Sequence, residues 1–183
     1  MKTLILNGSP RNNGDTSALL SAFTTALSGE CMIIDCYSAD IAPCIDCRAC
    51  RSALACPKQD DMQAVYEYLH GCDAVVIASP VHYAELSSGL LTAAGRFQLY
   101  SSAMIFRHER PFVKPKKGAV LLAQGGSGGA QRAFETAKLI FDSIGVKQVF
   151  SPVISQKTDR LSAADDIEAL TAAAELARLI SSD

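Results

Sequence analysis

Five short apolar runs recur along the chain, and a stretch of helical character separates each from the next. They are KTLILN (2–7), CMIIDC (31–36), DAVVIASP (73–80), KKGAVLLAQ (116–124) and VKQVFSPVIS (146–155). Runs this short, dense in aliphatic residues and without polar alternation, suit strands covered on both faces. Between them lie SALLSAFTTALSG, DDMQAVYEYLHGC (60–72), ELSSGLLTAAGRFQLYSS (85–102) and a helix over 130–144 closed by Gly145. A last amphipathic helix runs from Ser162 to residue 180. Parallel strands need crossover connections, so this alternation predicts an α/β sheet with helices on both faces. Right-handed crossovers and five strands lead to a three-layer sandwich of order 2-1-3-4-5, with ligands at the carboxyl ends of the strands.

The 183 residues are read as one domain over 1–183, carrying a cysteine-rich loop at 43–59. Seventeen basic against nineteen acidic side chains leave a net charge of −2, which offers nothing to a nucleic acid. The opening MKTLILNGSP has too short an apolar run for a secretory signal, and no run approaches the length of a membrane span. The expected setting is therefore the cytoplasm, where thiols stay reduced and structural disulfides are rare. The odd count of seven cysteines also argues against a full disulfide framework.

The loop after the first strand, NGSPRNNGDTS (7–17), opens the first helix. It lacks G-x-G-x-x-G, and it is not G-x-x-x-x-G-K-S/T, because five residues separate Gly8 from Gly14 and Asp15 stands in the lysine position. It does supply hydroxyls on Ser9, Thr16 and Ser17, the Arg11 guanidinium and free N–H groups at a helix start. Such a nest can hold a phosphate monoester without Mg²⁺. The plainer reading is a strand-to-helix turn with Thr16 as N-cap.

Four cysteines fall in PCIDCRACRSALACP, at Cys44, Cys47, Cys50 and Cys56. Their spacing, C-x2-C-x2-C-x5-C-P, compares with the ferredoxin run C-x2-C-x2-C-x3-C-P. Four soft thiolates are what a 4Fe–4S cluster requires. Zinc, a disulfide, or thiols without any metal remain open readings at this point. Cys31, Cys36 and Cys72 flank apolar strands and are expected to be small core residues.

Four segments together carry a resemblance. LNGSPRNNGDTSALL, CIDCRACRSALACPKQDDM, ASPVHYAELSSGL and GGSGGAQRAFETAKLIFDSIGV resemble, in order, the phosphate loop, cysteine segment, flavin-ring loop and glycine-rich loop of the flavodoxin-like NADPH-dependent FMN reductases. The cysteine segment is similar to that of their iron–sulfur flavoprotein branch. The resemblance implies a flavodoxin-like fold and FMN, with the phosphate held by Ser9, Arg11, Gly14, Thr16 and Ser17. It implies a ring lying against Pro80, Val81, His82 and Tyr83, with Gly125 and Gly126 nearby. It also implies homodimers or homotetramers. Asp15 stands where the family has asparagine, His82 where tyrosine is common and Ala84 where glycine is. Leu91 and Gly95 replace the usual lysine and aspartate of the next helix.

The expected function is an FMN-dependent oxidoreductase that moves electrons from NAD(P)H, through the cluster where one is loaded, to a small acceptor. No acid–base residue stands out, since the cofactor carries the hard chemistry, and no G-x-S-x-G nucleophile elbow is present. The alternative is a flavodoxin-like electron carrier that docks to a redox protein. Such carriers tend to be strongly acidic for steering, and a net charge of −2 weighs mildly against it. A cysteine-rich sensor with a vestigial flavin fold is the third reading. The irregular SAMIFRHERPFVKPKK (102–117) is read as a lid, a partner contact or a flexible excursion.

Overall fold

The apolar runs pair edge to edge in the computed structural model, which describes residues 1–182. Strands β1 (Lys2–Asn7), β2 (Glu30–Asp35), β3 (Ala74–His82) and β5 (Lys116–Gln124) lie parallel. Two short strands, β6 (Val146–Val149) and β7 (Val153–Gln156), pair in parallel with successive parts of β5. The order β2-β1-β3-β5-β6 is the doubly wound order expected. Helices α1 (Asp15–Ala26) and α6 (Ile167–Ser181) cover one face through Leu19, Phe23, Ala173 and Ile180. On the other face lie α2 (Met62–Gly71), α3 (Ser88–Gly95), α4 (Gln98–Phe106) and α5 (Ala130–Ser143). Side chains alternate across a strand: Val75 and Ile77 enter one core, Val76 and Ala78 the other. Among the described residues, no helix is long and apolar enough to cross a membrane.

Several elements depart from the sequence-based expectation. The fifth run breaks because Pro152 has no N–H for a ladder; the Phe150 N–H still bonds the Gly118 carbonyl at 3.0 Å, and pairing resumes at Val153. The helix expected over 85–102 begins instead as β4 (Glu85–Leu86), antiparallel to Val81 and His82. Tyr83 and Ala84 make that hairpin's two-residue turn at φ 52° and 62°, the left-handed region such turns demand. The helical stretch then divides at Arg96 and Phe97, both buried. The last helix starts at Ile167 rather than Ser162, because the Asp166 carboxylate accepts the Ala169 N–H at 3.0 Å and caps it. Cys36 and Cys72 are core residues, and burial pushes their thiols up to about 12 and about 11. Cys31 is exposed, contrary to expectation, because β2 is an edge strand paired only with β1.

Residues 102–117 are partly helical, since α4 runs to Phe106. Beyond it, Phe112 packs on Tyr100 and His70, with ring centroids 4.7 and 5.4 Å apart, beside the amino end of β5. Lys116, the first residue of β5, is buried with its Nζ 3.8 Å from the Phe112 ring centroid. Burial holds its ammonium below the usual lysine value of 10.5, and burial, followed by that charge, lowers His70. A lysine pKa lowered on folding means the unfolded chain holds the proton more tightly, so stability rises with pH in the window beneath 10.5. Lys116→Met, which removes that buried charge, is thus expected to be more stable than wild type at neutral pH. That advantage should shrink as the wild-type ammonium deprotonates, which urea melts from neutral to alkaline pH will report.

One glycine sets the entry to α5. Gly129 has φ 93°, and a Cβ there would lie 2.7 Å from the Ala84 Cβ and 2.8 Å from its Cα. Gly129→Ala therefore meets both a strained conformation and immovable backbone. A loss of about 1–3 kcal/mol is expected, seen as a lower urea midpoint with an unchanged slope.

Candidate functional site: two cavities at the carboxyl end of the sheet

At the carboxyl ends of β1, β3, β5 and β7, four loops enclose a cavity of about 290 Å³. The first loop contributes Arg11, Asp15 and Thr16; the end of β3 contributes Pro80, Val81 and His82. Gly125 follows β5, and Thr158 and Asp159 follow β7. The first loop is closed by its own hydroxyls: Ser9 and Ser17 both donate to the Arg11 carbonyl, at 2.9 and 2.8 Å. These two hydroxyls therefore shape the nest. The N-cap of α1 is Gly14, not Thr16, and no side chain caps the helix. Its first N–H groups, at the positive end of the helix dipole, remain available to an anion.

Asp15, the departure from the family pattern, is committed elsewhere. Its Oδ1 accepts the Ala163 N–H at 2.9 Å and the Ser162 hydroxyl at 3.2 Å, and its Oδ2 meets Arg11 at 3.4 Å. The carboxylate thus straps the first loop to the segment after β7. That segment is also tied to the glycine loop, because Lys157 and Thr158 donate N–H bonds to the Gly126 and Gln124 carbonyls at 2.9 and 3.1 Å.

The residues present fit a phosphorylated planar ligand. An uncapped helix start borders the cavity and Gly125 lines it, with the Asp159 carboxylate standing where a Gly125 Cβ would be. Gln124, at the end of β5, keeps a buried amide whose two polar atoms have no protein partner. Of the ring-loop residues expected from sequence, Pro80, Val81 and His82 line the cavity. Tyr83 does not: at the hairpin tip its side chain is fully exposed, neither in the core nor in the cavity. Thr158 and Asp159 escaped the sequence reading, although their position just past the fifth apolar run is a carboxyl-end signal.

A second cavity, of about 170 Å³, is lined by all four clustered cysteines, Cys44, Cys47, Cys50 and Cys56. The loop carrying them leaves the carboxyl end of β2 and turns tightly, with Asp46 and Arg48 at φ 49° and 64°. Arg96 anchors its root from the opposite side. The buried guanidinium grips Asp60 in a two-pronged ion pair at 2.5 and 3.1 Å, and donates to the Ala42 carbonyl at 2.7 Å. Its Nη2 also donates to the Cys56 sulfur at 3.3 Å. The Cys50 thiol donates to the Ser102 hydroxyl at 3.3 Å, and Arg107 bonds the Cys50 carbonyl. Burial opposes ionisation of both partners of the ion pair, but their mutual bond prevails, holding Asp60 below the ordinary carboxylate range and raising Arg96.

Among the described residues all seven cysteines are free, and no three His, Cys, Asp or Glu side chains stand close enough to form a ready metal cage. The donor chemistry nonetheless fits a soft metal centre, because four cysteines from one loop line one cavity. Arg96 was missed in the sequence; a lone cation inside the apolar stretch LLTAAGRFQL was the available signal.

The sheet order and the four carboxyl-end loops define a flavodoxin-like fold with a cavity at its carboxyl edge. The family model for NADPH-dependent FMN reductases matches residues 1–159, and the chain belongs to that family. Among curated proteins it is 27% identical over 134 residues to an iron–sulfur flavoprotein of Methanosarcina thermophila, covering 72% of this chain and 67% of that protein. It is 30% identical over 131 residues to an iron–sulfur flavoprotein of Archaeoglobus fulgidus, covering 70% and 56%. The chain thus spans between about half and two thirds of the length of the curated relatives it matches. Among solved structures, an NAD(P)H:quinone oxidoreductase from Methanothermobacter marburgensis superposes with a TM-score of 0.73 at 16% identity, over 100% of this chain and 97% of that one. An FMN-dependent NADH-azoreductase from Bacillus anthracis, solved with FMN, gives 0.62 at 19% identity over the whole of both chains. These structural likenesses speak for the fold.

Proposed function

We propose that the chain, as one domain, is an FMN-dependent reductase that draws electrons from NAD(P)H and delivers them to a small acceptor, a quinone or a free flavin. The observation that carries this is the 290 Å³ cavity, which gathers Arg11, Thr16, Pro80, Val81, His82 and Gly125 from three loops far apart in sequence. Bound FMN supplies the exchange between two-electron and one-electron transfer. Arg11 and the first N–H groups of α1 compensate the phosphate charge, while Ser9, Gly14 and Ser17 hold their loop in the shape that presents those donors. Val81 and His82 border the ring through backbone polar groups, and Gly125 and Gly126 admit it closely from the β5 side. Asp159, over Gly125, places a carboxylate at the wall of the same cavity.

Cys44, Cys47, Cys50 and Cys56 would hold a 4Fe–4S cluster, a one-electron group suited to work beside a flavin. The free thiols and the iron–sulfur flavoproteins among the relatives support that reading, as does the cytoplasmic setting expected for reduced cysteines. A homodimer or homotetramer is the proposed assembly.

The test is the visible spectrum of protein purified without oxygen, with iron and sulfide assays and NAD(P)H turnover against a quinone. Flavin bands together with iron and turnover are expected. Flavin without NAD(P)H turnover would mark an electron carrier docking to a redox protein, and protein that takes up no FMN on reconstitution would sink the assignment. Cys47→Ser is expected to lose most of its iron while keeping FMN; full iron retention would remove Cys47 from the ligand set.

A further inference from the structure

The strongest unexplained feature outside the flavin cavity is a buried charge. Arg96 and Asp60 have side chains only 1% and 6% exposed, deep against the cysteine loop. The guanidinium spends its second Nη2 proton on sulfur, 3.3 Å from Cys56, while its buried Nε finds no protein partner. Buried charges are expensive to desolvate, and a hydrophobic pair of equal volume is often at least as stable. Stability alone therefore gives little reason to keep an arginine here.

The orientation supplies the missing reason. Asp60 takes the guanidinium from one side, and it is itself held by N–H donors from Ala42 and Met62 at 3.3 and 3.2 Å. The pair is thereby a fixed dipole whose positive end touches one of the four clustered thiols. Arg48, Arg51 and Lys58 also line the cavity, but Arg48 pairs with Asp46 and Arg51 stacks on the Phe106 ring at 4.3 Å. Arg96 is the cation bonded directly to a clustered sulfur among the described residues.

We propose that Arg96 is a positioning and charge-compensating residue for the four-thiolate centre, setting its reduction potential through the N–H···S bond to Cys56, with Asp60 as the counterweight that limits the effect. This rests on the reading of Cys44, Cys47, Cys50 and Cys56 as cluster ligands. A centre bound by four thiolates is negatively charged, and one added electron makes it more so. A guanidinium bonded to a ligand sulfur lowers the energy of that added charge and so raises the potential; hydrogen bonds to sulfur and net charge are the known levers on such centres. The Asp60 carboxylate, one group farther from the sulfur, pulls the other way. The two residues therefore act with opposite signs, which a purely structural ion pair would not.

The experiment is a reductive titration with dithionite of the anaerobic holoprotein, followed by visible and paramagnetic resonance spectra, on wild type, Arg96→Gln and Asp60→Asn. Iron content is measured on each sample. Arg96→Gln is expected to shift the one-electron equilibrium at least about tenfold toward the oxidised form, about 59 mV lower. Asp60→Asn is expected to shift it about threefold or more toward the reduced form, with iron unchanged. Arg96→Lys, which keeps the cation but not the fork, should fall between wild type and Arg96→Gln. Where Arg96→Gln or Asp60→Asn does not fold, Arg96→Lys, which keeps the charge pair, decides: an unchanged potential in that iron-replete variant overturns the proposal. An unchanged or lowered potential in iron-replete Asp60→Asn overturns the proposal. Wild-type protein that holds no iron after reconstitution overturns the cluster reading itself, and is recognised before any variant is compared.

Discussion

Arg96→Met is expected to destabilise the protein by about 3–5 kcal/mol, close to the whole stability margin of many domains. The size follows from what the substitution leaves behind. Asp60 stays buried at 6% exposure without its bidentate partner, and the Ala42 carbonyl loses its donor at 2.7 Å. An uncompensated buried carboxylate is among the few causes of point-mutant losses this large. Urea unfolding of the variant checks the figure. Removing both charges at once, in Arg96→Met with Asp60→Leu, should recover most of the loss, because the penalty lies in the orphaned ion and not in the missing pair. A double variant no more stable than Arg96→Met alone would contradict this account.

The second large effect concerns the flavin. Arg11→Ala combined with Thr16→Val is expected to weaken FMN binding about hundredfold, since each lost bond to a charged phosphate contributes about 1.5 kcal/mol and each 1.4 kcal/mol is tenfold. Both residues line the cavity, at the mouth of an otherwise uncapped helix. Riboflavin, which has the ring but no phosphate, should bind wild type and variant alike. Quenching of flavin fluorescence measures both affinities. Equal weakening for the two flavins would show that the substitutions distort the cavity instead of removing phosphate contacts. FMN affinity left unchanged would put the phosphate elsewhere.

Much of the architecture was legible because parallel strands buried on both faces read as unbroken apolar runs, and their spacing forces crossovers. β1, β3 and β5 fall where the runs fall. What was not legible turns on local events with weak signatures. Pro152 divides the fifth run in two, and the Tyr83–Ala84 turn makes a hairpin without the Asn-Gly pair that announces most of them. That turn also explains Tyr83: a residue at a hairpin tip points away from the sheet, whatever cofactor its neighbours face. Cys31 and Cys36 flank the same strand and look equivalent in sequence, but only Cys36 has the core beside it, because β2 is an edge.

The residue order alone points to the doubly wound sheet, the glycine and hydroxyl loop at its first carboxyl end, and the four cysteines as a donor set of one chemical kind. Those are properties of local composition and short spacing, which a chain carries before it folds. Folding was needed to show that Asp15 turns to Ser162 and Ala163, that Thr158 and Asp159 join the cavity at the carboxyl edge of the sheet, and that Arg96 reaches from the end of α3 to Asp60 and Cys56. Each of those contacts links residues of elements far apart in sequence, which meet because the strand order brings the carboxyl ends of β1, β2, β3, β5 and β7 to one edge. A guanidinium can be buried where a carboxylate and a sulfur both meet it, and nothing in LLTAAGRFQL states that they do.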